Sequence, residues 1–191
     1  MKNQNQNPTR SKLTVLCECG IMLALAAVLS LIKLWESPYG GSVTLLSMLP
    51  IMIMSHRRGL KIGLACSFAY SILQIGIDLG KLMSYGMTVG IWIGCLVFDY
   101  LLPFTALGLA GLWRKRGVLG RTLGVVLAIV IRYTSHVISG CVFFGTYAWE
   151  GWNPLPYSLV YNAIYMLPEM ALTVVAAFLL FRLKAFKKFL D

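Results

Sequence analysis

"IRYTSHVISGCVFF", Ile131 to Phe144, places an arginine and a histidine four residues apart inside a long apolar run. At helical spacing Arg132, His136, Gly140 and Phe144 stack on one face. An apolar run of roughly 20 residues reads as a membrane-crossing helix. A charged group near its centre costs roughly 2.5–3.5 kcal/mol even on the lenient insertion scale. The face that carries Arg132 is therefore expected to look inward, toward a partner charge or a polar chamber, and not toward lipid.

Five further apolar segments surround this one. The chain has 191 residues, 58% of them hydrophobic and 13% charged, with mean hydropathy +0.75. The six segments are 13–33, 43–56, 60–80, 87–113, 119–145 and 155–183, the second being short. They predict an all-α integral membrane protein: a polar tail over residues 1–12, its first ten residues expected to be disordered, then a single six-helix domain over 13–191. No small-residue cleavage site follows the first segment, so a removed signal peptide is not expected.

The net charge of +10 is distributed as a topology signal and not as a nucleic-acid footprint. Lys2, Arg10, Lys12, Arg57, Arg58, Lys61, Arg114, Lys115, Arg116, Arg121, Arg182, Lys184, Lys187 and Lys188 share one side if there are six crossings; only Lys33 and Lys81 flank the other. By the positive-inside rule both termini are expected to be cytoplasmic. All five cysteines (17, 19, 66, 95, 141) fall within the segments, so disulfides are not expected, and no Cys/His set completes a metal site. No cofactor is implied.

The polar groups inside the spans carry the functional signal. Asp99 lies in "WIGCLVFDYLLPF", and Asn162 lies among Tyr157, Tyr161 and Tyr165. One reading is purely structural, an Asp99–Arg132 pair tying two helices together. Pairing leaves His136, Asn162 and the tyrosines unexplained; convergent donors, acceptors and aromatic faces are what line a small-molecule pocket. Asn162 offers both polarities to a heterocycle edge, while Phe144, Trp149 and Tyr157 can stack on a ring or attract a cation. Two outward loops, "KLWESPYGGSV" (33–43) and "TYAWEGWNPLPY" (146–157), read as an irregular connection and as either an interfacial aromatic belt or a lid. Gly20 and Ala24 make a small-xxx-small face on the first segment, suited to internal packing or to a partner. Glu18 is expected to snorkel or to meet a basic neighbour, and Glu169 has no evident role.

The ordered set "YGGSV" (39–43), "HRRG" (56–59), "DYLLPFTALGLAGL" (99–112), "RYTSHVISGCVFFGTYAW" (132–149) and "YSLVYNAIYMLP" (157–168) resembles the thiamine-specific substrate-binding S components of energy-coupling factor (ECF) transporters. The resemblance implies a six-helix bundle in the bacterial cytoplasmic membrane that captures thiamine from outside. It also implies partners: a membrane coupling subunit (T component) and two cytoplasmic ATPases, with lipid around the bundle. The absence of a G-x-x-x-x-G-K-[ST] loop fits a chain with no motor of its own. By the same resemblance Asp99 and Tyr100 match the family's acid–tyrosine pair, Arg132 and His136 its basic residue and histidine, and Tyr157 and Asn162 its tyrosine and asparagine. That set holds the aminopyrimidine edge and flanks the thiazolium ring. Some members have Glu, Lys and Trp where this chain has Asp99, Arg132 and Phe144, and a tryptophan at the position of Gly41. Gly20-x-x-x-Ala24 matches the face with which members dock the coupling subunit. A neutral His136 beside a cationic ring implies binding that weakens below about pH 6.

Two other classes remain as alternatives. A stand-alone proton-coupled carrier needs no ATPase. An intramembrane hydrolase would use Ser139 and His136, but these lie three apart on one helix with no oxyanion-hole loop in evidence. An enzyme is not expected.

Overall fold

A computed structural model describes residues 8–38 and 40–190, with side chains from Lys12 onward. Most of the expected tail, residues 1–7, and Tyr39 of the "YGGSV" motif lie outside the described residues. Helix α1 spans Pro8–Leu31 and so begins within the stretch expected to be disordered. Pro8 suits a first helical position, where its missing N–H has no intrahelical partner to lose.

The chain continues through two short strands, β1 (Lys33–Glu36) and β2 (Ser42–Thr44), paired antiparallel with Glu36 opposite Ser42 and an irregularity between Lys33 and Trp35. The fold is thus mostly helical but not all-α. The loop expected over 33–43 is a small hairpin that crosses the top of the bundle.

The second expected segment, 43–56, is the one the structure changes most. Leu46 takes φ +61, a left-handed conformation a branched residue seldom adopts, and this breaks the chain before a helix can start. Helix α2 then covers only Leu49–Arg58, ten residues, with Pro50 in its first turn. At about 15 Å it is too short to cross a hydrocarbon core of about 30 Å. Leu49 through His56 are all buried, as expected for a helix enclosed by its neighbours. Five helices among the described residues are long and apolar enough to span: Lys12–Leu31, Leu60–Ser84, Val89–Trp113, Gly117–Val142 and Pro154–Arg182.

Despite its length α2 makes the return journey along α1. Leu45 N–H donates to Ile32 O at 3.1 Å, while Arg57 and Arg58 both grip Glu18, Arg57 through Nε at 3.1 Å and Nη2 at 3.0 Å. Helix α2 thus packs along α1 as a short enclosed helix beside the five long ones. Glu18, left open between two roles by its sequence, is the acid that closes this end.

Gly59, at φ +90, turns the chain into α3 (Leu60–Ser84). The next span is composite: α4 (Val89–Cys95), a wide π turn (Leu96–Leu101), α5 (Leu102–Thr105) and a 3-10 stretch (Ala106–Trp113). In a 3-10 helix residues three apart share a face. Gly108 and Gly111 use that face to let backbones touch: a Cβ on Gly108 would sit 2.6 Å from Leu64 Cα, and Ser55 Oγ accepts from Gly111 N–H at 3.1 Å while donating to Gly108 O. Helices α6 (Gly117–Val142) and α7 (Pro154–Arg182) follow, and α8 (Lys184–Leu190) folds back on α2.

Gly20 and Ala24 are exposed on α1, and a Cβ on Gly20 would meet nothing within 4 Å. Their face does not pack within the bundle, which corrects the internal-packing reading.

Candidate substrate-binding site

Arg132, His136, Gly140 and Phe144, the inward face expected of the fifth apolar segment, all line one cavity of about 670 Å³. Its wall is completed by the end of α1, α3, the composite span, α7 and the β1–β2 hairpin. Gly140 lets α7 come close here, since a Cβ in its place would collide with Ser158 Oγ. A regular α6 keeps the 3.6-residue period intact from Arg132 through Gly140, and so these three share a direction, while Phe144 reaches the cavity from just beyond the helix end at Val142.

Asp99 reaches the cavity through a local break in helical geometry. Pro103 has no N–H to give the carbonyl four residues back, and its ring crowds that carbonyl, which belongs to Asp99. The chain widens: Leu102 N–H bonds Val97 O, five residues back, leaving Phe98 O without its usual helical donor. Ser135 Oγ of α6 donates to Phe98 O at 2.6 Å. The wide turn sits between two helices, each of which holds one of its side chains. On the α6 side, His136 Nδ1 donates to Asp99 Oδ1 at 2.9 Å and Ser139 Oγ donates to Oδ2 at 2.5 Å. On the α3 side, Tyr100 Oη donates to Asp78 Oδ2 at 3.1 Å.

Arg132 is not the partner of Asp99. Its guanidinium lies 4.1 Å over the Phe104 ring, and its Nε and Nη1 are buried with no hydrogen-bond partner, as is His136 Nε2. The donors that reach Asp99 are instead His136 on one oxygen and Ser139 on the other. Guanidinium donors and a free imidazole nitrogen thus remain to meet a ligand.

Asn162 behaves differently from the open amide edge expected of it. Its Nδ2 donates to Ser158 O at 2.8 Å, and its Oδ1 accepts from Tyr165 Oη at 2.5 Å. Asn162 lines the cavity while bracing α7 and Tyr165. Glu169 also acquires a function: one oxygen accepts from Thr44 N–H at 2.5 Å and the other from Thr44 Oγ1 at 2.7 Å. That clamp ties strand β2 to α7. Gly41 assists it, because at φ +86 a Cβ there would run into the Tyr165 ring, and Tyr161 Oη donates to Gly40 O at 3.0 Å.

At the mouth, Glu36 Oε1 takes Lys81 Nζ at 2.6 Å and Lys33 Nζ at 2.9 Å. The hydrogen bond from Lys81, then that from Lys33, holds the Glu36 carboxyl below its ordinary range. The hairpin is thereby fastened to the end of α3.

The structure brings Asp99, Tyr100, Arg132, His136, Phe144, Tyr157 and Asn162 to this one chamber. Trp149 does not line it: the ring is 5.1 Å from those of Tyr157 and Trp152, in the outer loop and largely exposed, where it backs Tyr157. Sequence reasoning missed Gln74 and Asp78 on α3, Lys81 at the mouth, and the clamp by Glu169. A carboxylate or amide inside an apolar segment is a signal that Gln74 and Asp78 also carried. The Ser139–His136 pairing needed by a hydrolase is absent among the described hydrogen bonds. The acid lies between them, with Ser139 bonded to Asp99, so His136 is not placed to take the serine proton.

Residues 16–189 match the family described as thiamine transporter protein (Thia_YuaJ). The chain is 34% identical over 184 residues to "Thiamine transporter ThiT" of Bacillus subtilis, covering 89% of this chain and 91% of that one. It is 28% identical over 183 residues to the ThiT of Lacticaseibacillus paracasei, covering 86% and 85%. A solved structure of ThiT from Listeria monocytogenes shares the fold, with TM-score 0.74 and 23% identity over 95% of this chain and 100% of that chain. The chain belongs to the thiamine transporter protein family, a family of transporters and not of enzymes, and is a multi-pass protein of the cell membrane.

Proposed function

We propose that this chain binds thiamine, presented from outside the cell, in the cavity behind the β1–β2 hairpin. The single observation that carries the reading is the cavity's charge. Four carboxylates line it, Glu36, Asp78, Asp99 and Glu169, against three cations, Lys33, Lys81 and Arg132, an excess of one negative charge. A chamber with that excess favours a cationic ligand, and tyrosine and phenylalanine rings along one wall favour a flat heteroaromatic one. Arg132 and His136 supply the unpartnered nitrogens that a pyrimidine edge would satisfy.

The finer reading is an ECF S component with both termini in the cytoplasm. The side holding Arg57, Arg58, Arg114 and Arg121 is then the inner face, and the exposed Gly20–Ala24 stripe docks the coupling subunit. Ligand enters past the hairpin, and ATP hydrolysis by the partner subunits drives its release inward.

The test uses the five tryptophans as reporters. Purified protein titrated with thiamine, riboflavin and biotin is expected to quench saturably with thiamine alone. Saturation by riboflavin or biotin and not thiamine contradicts the assignment. In proteoliposomes, uptake is expected only with the coupling subunit and ATPases present; uptake by this chain alone under a proton gradient overturns the ECF reading.

A further inference from the structure

The three acids of the cavity differ in what already satisfies them. Asp99 receives two donors, one of them an imidazole, and Glu169 receives a backbone N–H and a hydroxyl. Asp78 receives only the Tyr100 hydroxyl, at 3.1 Å. A carboxylate has about four acceptor positions, so most of Asp78 remains open to the cavity it lines.

No cation among the described residues pairs with it. The natural candidate is Lys81, one helical turn farther along α3. Its Nζ is instead bound to Glu36 Oε1 at 2.6 Å, and Lys33 is held by the same oxygen. Arg132 lies over the Phe104 ring and makes no ion pair with Asp78 among the described residues. The mouth clamp therefore has a second consequence: with the hairpin fastened, Lys81 is drawn away and the charge of Asp78 is left for whatever fills the chamber. Within a membrane bundle such a charge is costly unless matched.

We propose that Asp78, oriented by Tyr100, is the residue that reads the positive charge of the ligand, whereas Asp99 reads its hydrogen-bonding edge. The inference rests on the thiamine reading above. It assigns selectivity for a cation over a neutral molecule of the same shape to a position on α3, and it makes Glu36 a positioning residue for that selectivity, acting through Lys81.

The experiment compares thiamine with a neutral isostere bearing carbon in place of the quaternary nitrogen, by fluorescence titration of the detergent-solubilised full chain. Asp78→Asn is expected to weaken thiamine binding by about tenfold or more while changing isostere binding by no more than about twofold. Asp78→Glu is expected to retain the preference for the cation. Glu36→Gln, which frees Lys81 to neutralise Asp78, is expected to produce the same selective loss without touching Asp78. Isostere binding reports that each variant is folded. Equal losses for both ligands in Asp78→Asn and in Glu36→Gln, or no loss for either, overturn the assignment. Failure of the wild-type chain to bind thiamine overturns the thiamine reading itself, and this inference with it.

Discussion

Asp99 owes its position to an irregular turn and its orientation to His136 and Ser139, so its charge is held firmly against the cavity. Asp99→Asn keeps the shape but replaces an acceptor with a donor facing two donors. The expected loss of thiamine affinity is about 2–5 kcal/mol, read by isothermal titration calorimetry; a change below about 0.5 kcal/mol would remove Asp99 from the site. Gly140→Ala forces a Cβ against Ser158 and should cost about 1–3 kcal/mol of stability, seen as a lowered thermal midpoint. At this scale the sequence was informative where the helix is regular. The α6 face followed from its period because nothing interrupts α6 between Arg132 and Gly140. Asn162 was misread in detail, since the availability of an amide depends on neighbours such as Ser158 and Tyr165 that residue type alone does not place. The Asp99–Arg132 pair failed for a similar reason: which of several donors takes an acid is decided by three-dimensional proximity.

The hairpin and the wide turn are the elements that make a chamber from a bundle. The wide turn was legible in hindsight from Pro103, four residues after Asp99, while the hairpin was not, because its strands are only four and three residues long. The hairpin's fastening is electrostatic and hence titratable. Glu36 is held below its ordinary value of 4.5, chiefly by Lys81 and then by Lys33. A lowered acid contributes its stabilisation in full above the unfastened value and loses it as pH falls through the fastened one. Amide exchange in 33–44, corrected for the intrinsic pH effect, is therefore expected to be flat from about pH 7 to 5 and to rise below about pH 4. A rise between pH 7 and 5 would contradict the clamp. Glu169→Gln, by weakening the hold on Thr44, should raise exchange in β2 more than in β1.

Across the whole molecule, the packing leaves one face of α1 uncovered. Five helices long enough to span and one short, enclosed helix were not separable from six spans by hydropathy, because a segment buried among helices is as apolar as one facing lipid. The exposed Gly20 and Ala24 lie remote from the cavity lining, so Gly20→Leu with Ala24→Leu should leave thiamine affinity within about twofold and abolish uptake by the reconstituted complex. Loss of binding in that variant would tie the Gly20–Ala24 face to the site. The central claim is that the inward polar groups form one thiamine chamber, and a crystal structure grown with thiamine tests it most directly. The account predicts ligand density between Asp99 and His136 on one side and Tyr157 and Tyr161 on the other, with Lys81 still on Glu36; density elsewhere on the protein, with this chamber free of ligand, would contradict it.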